Sequence, residues 1–246
     1  MSSFANRSVL ITGGTSGIGY ATAERFLKNG ANVFICSRSP ERVDRALQSL
    51  SPLGNVKGLA ADLTDEDQAK TLVNQVVADF GKLDILVNSA GLAQPGKIAD
   101  ISLKDFRQIV DANLTSTFLM CQLSWPHLKK TNGKIVNVSS LAGRFRSSFS
   151  GVHYTSAKAG VLGLTRQLAL EFGPDGINVN ALCPGPTKTE MLEPFLNKFG
   201  EDKVKDLNPL GRLMLAEDAA GPILFLCSEE ARCITGSSLD VNCGIF

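Results

Sequence analysis

The chain has 246 residues, 43% of them hydrophobic and 20% charged, with 25 basic against 24 acidic side chains and a formal net charge of +1. That balance excludes a strong global pull on nucleic acid or anionic lipid and directs attention to small-molecule or protein partners. The length suits one α/β domain with a self-sufficient core, and six scattered cysteines without a Cys-x-x-Cys pair, beside two histidines, offer neither a disulfide framework nor a metal cage.

In chain order, the first element is a strand predicted at 8–12, a nearly continuous apolar run of the kind covered on both faces. It feeds Thr12-Gly13-Gly14-Thr15-Ser16-Gly17-Ile18-Gly19 and a helix at 18–29 that stops at Gly30. A glycine-rich turn between strand and helix lets the backbone approach a pyrophosphate and aims the helix N-terminus at it. The spacing is G-x-x-x-G-x-G rather than G-x-G-x-x-G, and a plain tight turn needing positive φ is the competing reading. The second strand, at 32–37, ends in Cys36-Ser37-Arg38-Ser39. No carboxylate stands there to bind adenosine ribose hydroxyls, whereas Arg38 offers a planar cation to a 2′-phosphate and Ser37 does not repel it. NADP(H) is therefore expected in preference to NAD(H), the alternative being a solvated arginine ahead of a helix.

A third strand is expected at 56–61, followed by a helix cap and acidic first turn at Thr64 to Asp67 and a helix at 69–80 ending at Gly81. Strands at 84–88, 134–139, 177–183 and 238–241 complete a set of seven, with long helices at about 103–129 and 152–172. Strands alternating with helices imply right-handed crossovers and a parallel, doubly wound sheet with helices on both faces. No repeat, low-complexity tract or linker divides the chain, so residues 1–246 read as one domain. The least patterned stretch lies between Pro184 and Ala216 and is expected to leave the sheet edge as a substrate lid at about 186–212. The first eight residues have no apolar h-region, and no stretch approaches the roughly 18 apolar residues of a membrane span, so a cytoplasmic protein is expected.

Tyr154 and Lys158 stand four apart on one helix face. Reduction of a carbonyl leaves an alkoxide that needs a proton, which a phenol can give. Bringing a tyrosine from about 10 to about 7 requires roughly 4 kcal/mol of differential stabilisation, for which a nearby cation is a direct source. Ser140 follows the strand at 134–139, at the carboxyl edge where doubly wound folds bind ligands. Its hydroxyl can bond a substrate oxygen, although a plain strand-end serine is the competing reading.

Together these residues resemble the short-chain dehydrogenase/reductase family over nearly the whole chain: Thr12 to Gly19, Asp62-Leu63, Asn88-Ser89-Ala90-Gly91, Asn113, Ser140, Tyr154-x-x-x-Lys158 and Pro184-Gly185. The resemblance implies a seven-stranded Rossmann-type fold and a catalytic set of Asn113, Ser140, Tyr154 and Lys158. Ser140 would polarise the carbonyl, Tyr154 would act as general acid or base, Lys158 would lower the tyrosine pKa and bond the nicotinamide ribose, and Asn113 would hold a relay water. Cofactor contacts are implied at Gly13, Thr15, Ser16, Gly17, Ile18, Gly19, Ser37 and Arg38. Asp62 and Leu63 would meet the adenine, Asn88, Ala90 and Gly91 the adenosine side, and Pro184, Gly185, Thr187 and Thr189 the carboxamide. Ser89 departs from the family, which usually has asparagine there.

The resemblance is to 3-oxoacyl-(acyl-carrier-protein) reductases and broad carbonyl reductases. The positions of the arginines that dock a carrier protein hold Thr131 and Leu170 here, which disfavours that partner, although Lys129 and Lys130 could compensate. A homotetramer is implied through the two long helices and the apolar end of the chain. In the loop at 141–153, Arg144 and Arg146 are either clamps for an acidic substrate or solvated cations, and His153 is a packing or helix-start residue. The alternatives to a carbonyl reductase are a catalytically silent dinucleotide-binding scaffold and an NAD-dependent alcohol dehydrogenase of the same fold.

Overall fold

The computed structural model describes residues 4–245 and contains one seven-stranded, wholly parallel sheet. The strands are β1 (Ser8–Thr12), β2 (Asn32–Ser37), β3 (Val56–Ala60), β4 (Ile85–Asn88), β5 (Lys134–Val138), β6 (Asn178–Pro184) and β7 (Ser238–Val241). Their order in the sheet is β3-β2-β1-β4-β5-β6-β7, so the chain reverses its direction of travel between β1 and β4 and opens a crevice at their carboxyl ends. All seven predicted strands are present. The sixth begins and ends one residue later than its apolar run suggested, because Pro184 still pairs with Val241.

Helices α1 (Gly17–Lys28), α2 (Pro40–Leu50), α3 (Glu66–Phe80), α4 (Leu103–Val110), α5 (Ser116–Leu128), α6 (Leu141–Arg144), α7 (Val152–Phe172), α8 (Glu193–Phe199), α9 (Glu201–Lys205) and α10 (Ala216–Cys227) cover both faces. On one face Val9, Ile11, Val33 and Val136 meet Phe26 of α1 and Ile223 of α10. On the other, Leu10, Phe34, Leu86 and Ile135 meet Leu72 of α3, Met120 of α5 and Leu168 of α7. Strands with neighbours on both faces need apolar side chains at odd and even positions alike, which explains their continuous runs.

Two local features differ from the sequence reading. The helix expected at 103–129 is two α-helices joined by a π turn at Asp111–Thr115. Asn113 Nδ2 donates to the Ile109 carbonyl four residues back, at 2.8 Å, and to the Leu92 carbonyl, also at 2.8 Å. A side chain thereby takes the carbonyl that a backbone N–H would occupy, and the turn widens. At the start of α3, Asp65 is the cap, accepting from Gln68 N at 3.1 Å, while Thr64 Oγ1 donates to Asp62. Among the described residues, no helix is long and apolar enough to cross a membrane, and no His, Cys, Asp and Glu cluster is placed to hold a metal ion.

Candidate active site

The first βα turn is built by steric exclusion. Gly13 has φ +67°, and a Cβ on it would lie 2.9 Å from the Ala90 backbone, so the ends of β1 and β4 touch only because this residue has no side chain. A Cβ on Gly19 would meet the Gly13 carbonyl at 2.3 Å, which closes the turn onto the helix. Ser16 caps α1 in extended conformation with no side-chain hydrogen bond, and the first turn holds no acidic residue. By contrast, the caps of α2, α3 and α4 accept from backbone N–H groups through their side chains. The N–H groups and positive dipole end of α1 thus remain free where the backbone is most open, the arrangement a pyrophosphate requires.

Two connected depressions flank this turn. The first, of about 400 Å3, is lined by Thr15, Ser16, Ser37, Arg38, Asp62 and Leu63, together with Ser39, Arg42 and Thr64. The second, of about 680 Å3, runs from Gly13, Ser16, Gly17 and Ile18 past Ser140, Tyr154 and Lys158. It continues to Pro184, Gly185, Thr187 and Thr189. Ala90 and Gly91 line both. The donor set suits a dinucleotide: small backbone-exposing residues at the turn, arginines and hydroxyls at one end, and an acid–base group at the other.

Three candidates do not line either depression. Gly19 acts through the close approach just described. Asn88 is turned into the core, donating to Asn137 Oδ1 at 2.9 Å; Asn137 Nδ2 in turn donates to Thr165 Oγ1 at 3.0 Å. Asn88 therefore joins β4 to β5 and α7 instead of presenting its side chain to the cleft. Asn113 lies behind Gly91, where a Cβ would fall 2.6 Å from Asn113 Oδ1 and 3.4 Å from Lys158 Nζ. Asn113 Oδ1 is buried and has no partner among the described residues.

Ser140 sits at the end of β5 and caps α6, its Oγ accepting from Ala142 N at 3.1 Å. Lys158 Nζ donates to the Val138 carbonyl at 2.8 Å, and Ser139 Oγ donates to the Lys158 carbonyl at 2.8 Å, so β5 and α7 are stitched together at the cleft floor. Lys158 Nζ stands 5.8 Å from the centre of the Tyr154 ring. Burial brings the Lys158 pKa down to about 8. Burial also raises the Tyr154 phenol above its ordinary value, with the hydrogen bond from Ser140 pulling the other way. The expected lowering of the tyrosine by Lys158 is thus not a property of the protein alone, because the desolvation that would strengthen a Coulombic interaction penalises both ions.

His153 is buried, and its Nδ1 accepts from the Tyr154 backbone N–H at 2.9 Å at the start of α7. Arg144 pairs with Asp240 at 3.1 Å, whereas Arg146 lines the cleft.

Sequence reasoning did not single out Arg42 or Glu190, which pair at 3.0 Å and join the nucleotide end to the lid. The loop at 141–153 contributes Phe149 and Ser150 and the expected lid contributes Leu207 and Pro209, whereas the returning end of the chain at Gly244 and Ile245 is a part of the cleft wall that the sequence did not suggest. No periodicity marks such positions; they meet only through the fold. The expected lid contains α8 and α9, and Met191, Leu192 and Phe195 line the cleft while Leu196 does not. Phe246, the last residue of the apolar end expected in a subunit contact, lies outside the described residues.

A protein-family model described as enoyl-(acyl carrier protein) reductase matches residues 13–245. The chain is 37% identical over 241 residues to a 3α-hydroxysteroid dehydrogenase of Mediterraneibacter gnavus, covering 96% of each sequence. It is also 37% identical over 240 residues to a 3-oxoacyl-(acyl-carrier-protein) reductase of Aquifex aeolicus, again covering 96% of each. Among solved structures, a short-chain type dehydrogenase/reductase from Mycobacterium marinum superposes with a TM-score of 0.93 at 28% identity, covering 98% of this chain and 96% of that one.

Proposed function

We propose that this chain, which belongs to the short-chain dehydrogenase/reductase family of oxidoreductases acting on carbonyl and alcohol groups, is an NADP(H)-dependent reductase of a ketone or aldehyde, working reversibly. One observation carries the reading. Ser140, Tyr154 and Lys158 meet in a cleft that continues past Gly13 and Ser16 into the pocket of Ser37, Arg38 and Arg42.

In this reading the α1 N-terminus with Gly13, Thr15, Ser16, Gly17 and Ile18 holds the pyrophosphate. Ser37, Arg38 and Arg42 hold the 2′-phosphate, and Asp62 and Leu63 border the adenine. Pro184, Gly185, Thr187 and Thr189 hold the carboxamide. When bound, the nicotinamide supplies or accepts a hydride. Every other task falls to the protein. Ser140 fixes the substrate oxygen, and the buried Tyr154, kept protonated, gives its proton to that oxygen as it becomes an alkoxide. Lys158, held by the Val138 carbonyl, orients the ribose side, and Asn113 Oδ1 is the free acceptor for a relay water.

Reduction of a conjugated carbon–carbon double bond, suggested by the name of the family model, is the second reading. Two hydroxyl groups meeting on one wall suit an oxygen that turns into an alcohol better than a carbon that needs a proton. A carrier-protein substrate is disfavoured: Leu170 is an exposed apolar residue, Thr131 Oγ1 turns inward to the Leu83 carbonyl, and Lys129 pairs with Asp175. The exposed Leu103, Phe118, Trp125 and Leu170 on α4, α5 and α7 support a homotetramer, and a cytoplasmic location fits the unpaired cysteines.

Dinucleotide oxidation followed by absorbance across ketones, aldehydes and enones tests the reading. Turnover of carbonyls, with a KM for NADPH at least about tenfold below that for NADH and Arg38→Ala erasing the difference, is expected. A preference for NADH overturns the cofactor assignment, and silence across the whole set favours a dinucleotide-binding scaffold.

A further inference from the structure

The charges lining the large cleft do not cancel. Three charged side chains border it: Lys158, Glu190 and Arg146. Lys158 lies at the floor and donates to the Val138 carbonyl. Glu190 is matched by Arg42 at 3.0 Å. Arg146 has no hydrogen-bond or ion-pair partner among the described residues, although the neighbouring Arg144 is engaged by Asp240 at 3.1 Å. Two arginines that look equivalent in sequence are therefore separated by the fold into a structural cation and an uncompensated one facing the cleft.

The surroundings of Arg146 are built for a polar end group. Ser147 Oγ accepts from both Phe149 N and Ser150 N at 3.0 Å, folding the loop so that Ser148 and Ser150 also border the cleft. Ser150 Oγ is buried and has no partner among the described residues, a donor and acceptor left to a ligand or water. The facing wall is apolar: Met191, Leu192, Leu207 and Pro209, with Phe195 in edge contact with Phe149 at 5.8 Å.

We propose that the substrate is an amphipathic ketone or alcohol whose apolar body lies against the Phe149–Phe195 wall and whose terminal oxyanion is clamped by Arg146. A guanidinium presents a planar fork that matches a carboxylate in two parallel bonds, which a neutral ester cannot accept with the same strength. The inference rests on the reductase reading and adds a substrate class to it.

The probes are straight-chain fatty acids carrying a ketone next to the terminal methyl, in graded chain length, each paired with its methyl ester. In wild-type protein with NADPH, and in parallel with NADH, kcat/KM for the acid should exceed that for the ester by about tenfold at the best length, a margin that shrinks as salt is added. Arg146→Gln should lower the acid's kcat/KM about tenfold, mainly through KM, while leaving the ester within about twofold; Arg146→Lys should restore part of the loss. Equal rates for acid and ester in wild type, or equal losses for both in Arg146→Gln, overturn the clamp and leave the reductase reading standing. No turnover of any acid or ester with either dinucleotide overturns the clamp alone where other ketones or aldehydes are turned over, and removes the reductase reading with it only where those are silent too.

Discussion

The nucleotide end and the substrate end of the cleft are made by different means. The first is backbone against backbone: β1, β4 and the start of α1 approach so closely that Gly13 and Gly19 have no space for a Cβ, and their shape follows from that exclusion. The second is made mostly of side chains on connecting segments, the loop residues at 146–150 and the lid at 186–212, where Gly200 and Gly211 have no atom within 4 Å of a Cβ position. Close-packed backbone allows one geometry. Segments that touch through side chains can exchange those side chains without disturbing the sheet, which is how one frame serves many substrates.

The largest effect should come where the two ends meet. Tyr154→Phe is expected to lower kcat by at least about a hundredfold, as loss of a general acid does, while the dissociation constant for NADPH, read by fluorescence titration, changes less than about threefold. Turnover near wild type would remove the tyrosine from the chemistry.

Next in size is a pair of glycine substitutions that sets one end against the other. Gly19→Ala forces a methyl into the Gly13 carbonyl and should weaken cofactor binding by about tenfold or more. Gly211→Ala meets no atom but carries φ +66°, so it should cost about 1 kcal/mol of stability and leave the cofactor dissociation constant within about twofold. Equal effects of the two on cofactor binding would erase the distinction between the ends.

A separate effect lies in pH. Lys158 has a pKa of about 8 in the folded protein against 10.5 as its ordinary value, so between those limits the unfolded chain binds more protons than the folded one. Stability from this group alone therefore rises with pH across that window and is level below and above it. Tyr154, raised by burial, opposes this only above pH 10, where the unfolded phenol ionises first. Melting temperatures of cofactor-free wild type and Lys158→Met should show a steeper rise from pH 8 to pH 10 in the wild type. Parallel curves would place Lys158 in a more solvated setting.

What could be read from the chain alone follows the same division. The strand runs, the glycine turn and the Tyr154–Lys158 pair are local patterns, so their elements were legible to within a residue or two. The π turn was not, because it depends on Asn113 reaching carbonyls at Leu92 and Ile109 that no periodicity reveals. The family resemblance groups Asn88 with the cofactor contacts, yet its direction is decided by Asn137 and Cys121 on neighbouring elements. Arg144 and Arg146 could not be told apart until β7 brought Asp240 beside one of them.

The buried chain from Asn88 through Asn137 to Thr165 has a consequence for the chemistry it never touches. Thr165 lies seven residues beyond Lys158 and eleven beyond Tyr154, close to two and three full helical turns, so all three share one meridian of α7. Apolar contacts alone would let that long helix roll by some degrees on its greasy seat. The directional bond from Asn137 adds a third pin to the two at Lys158 and helps to fix its rotation, from which the reacting groups inherit their aim, as a clock hand does from its keyed shaft.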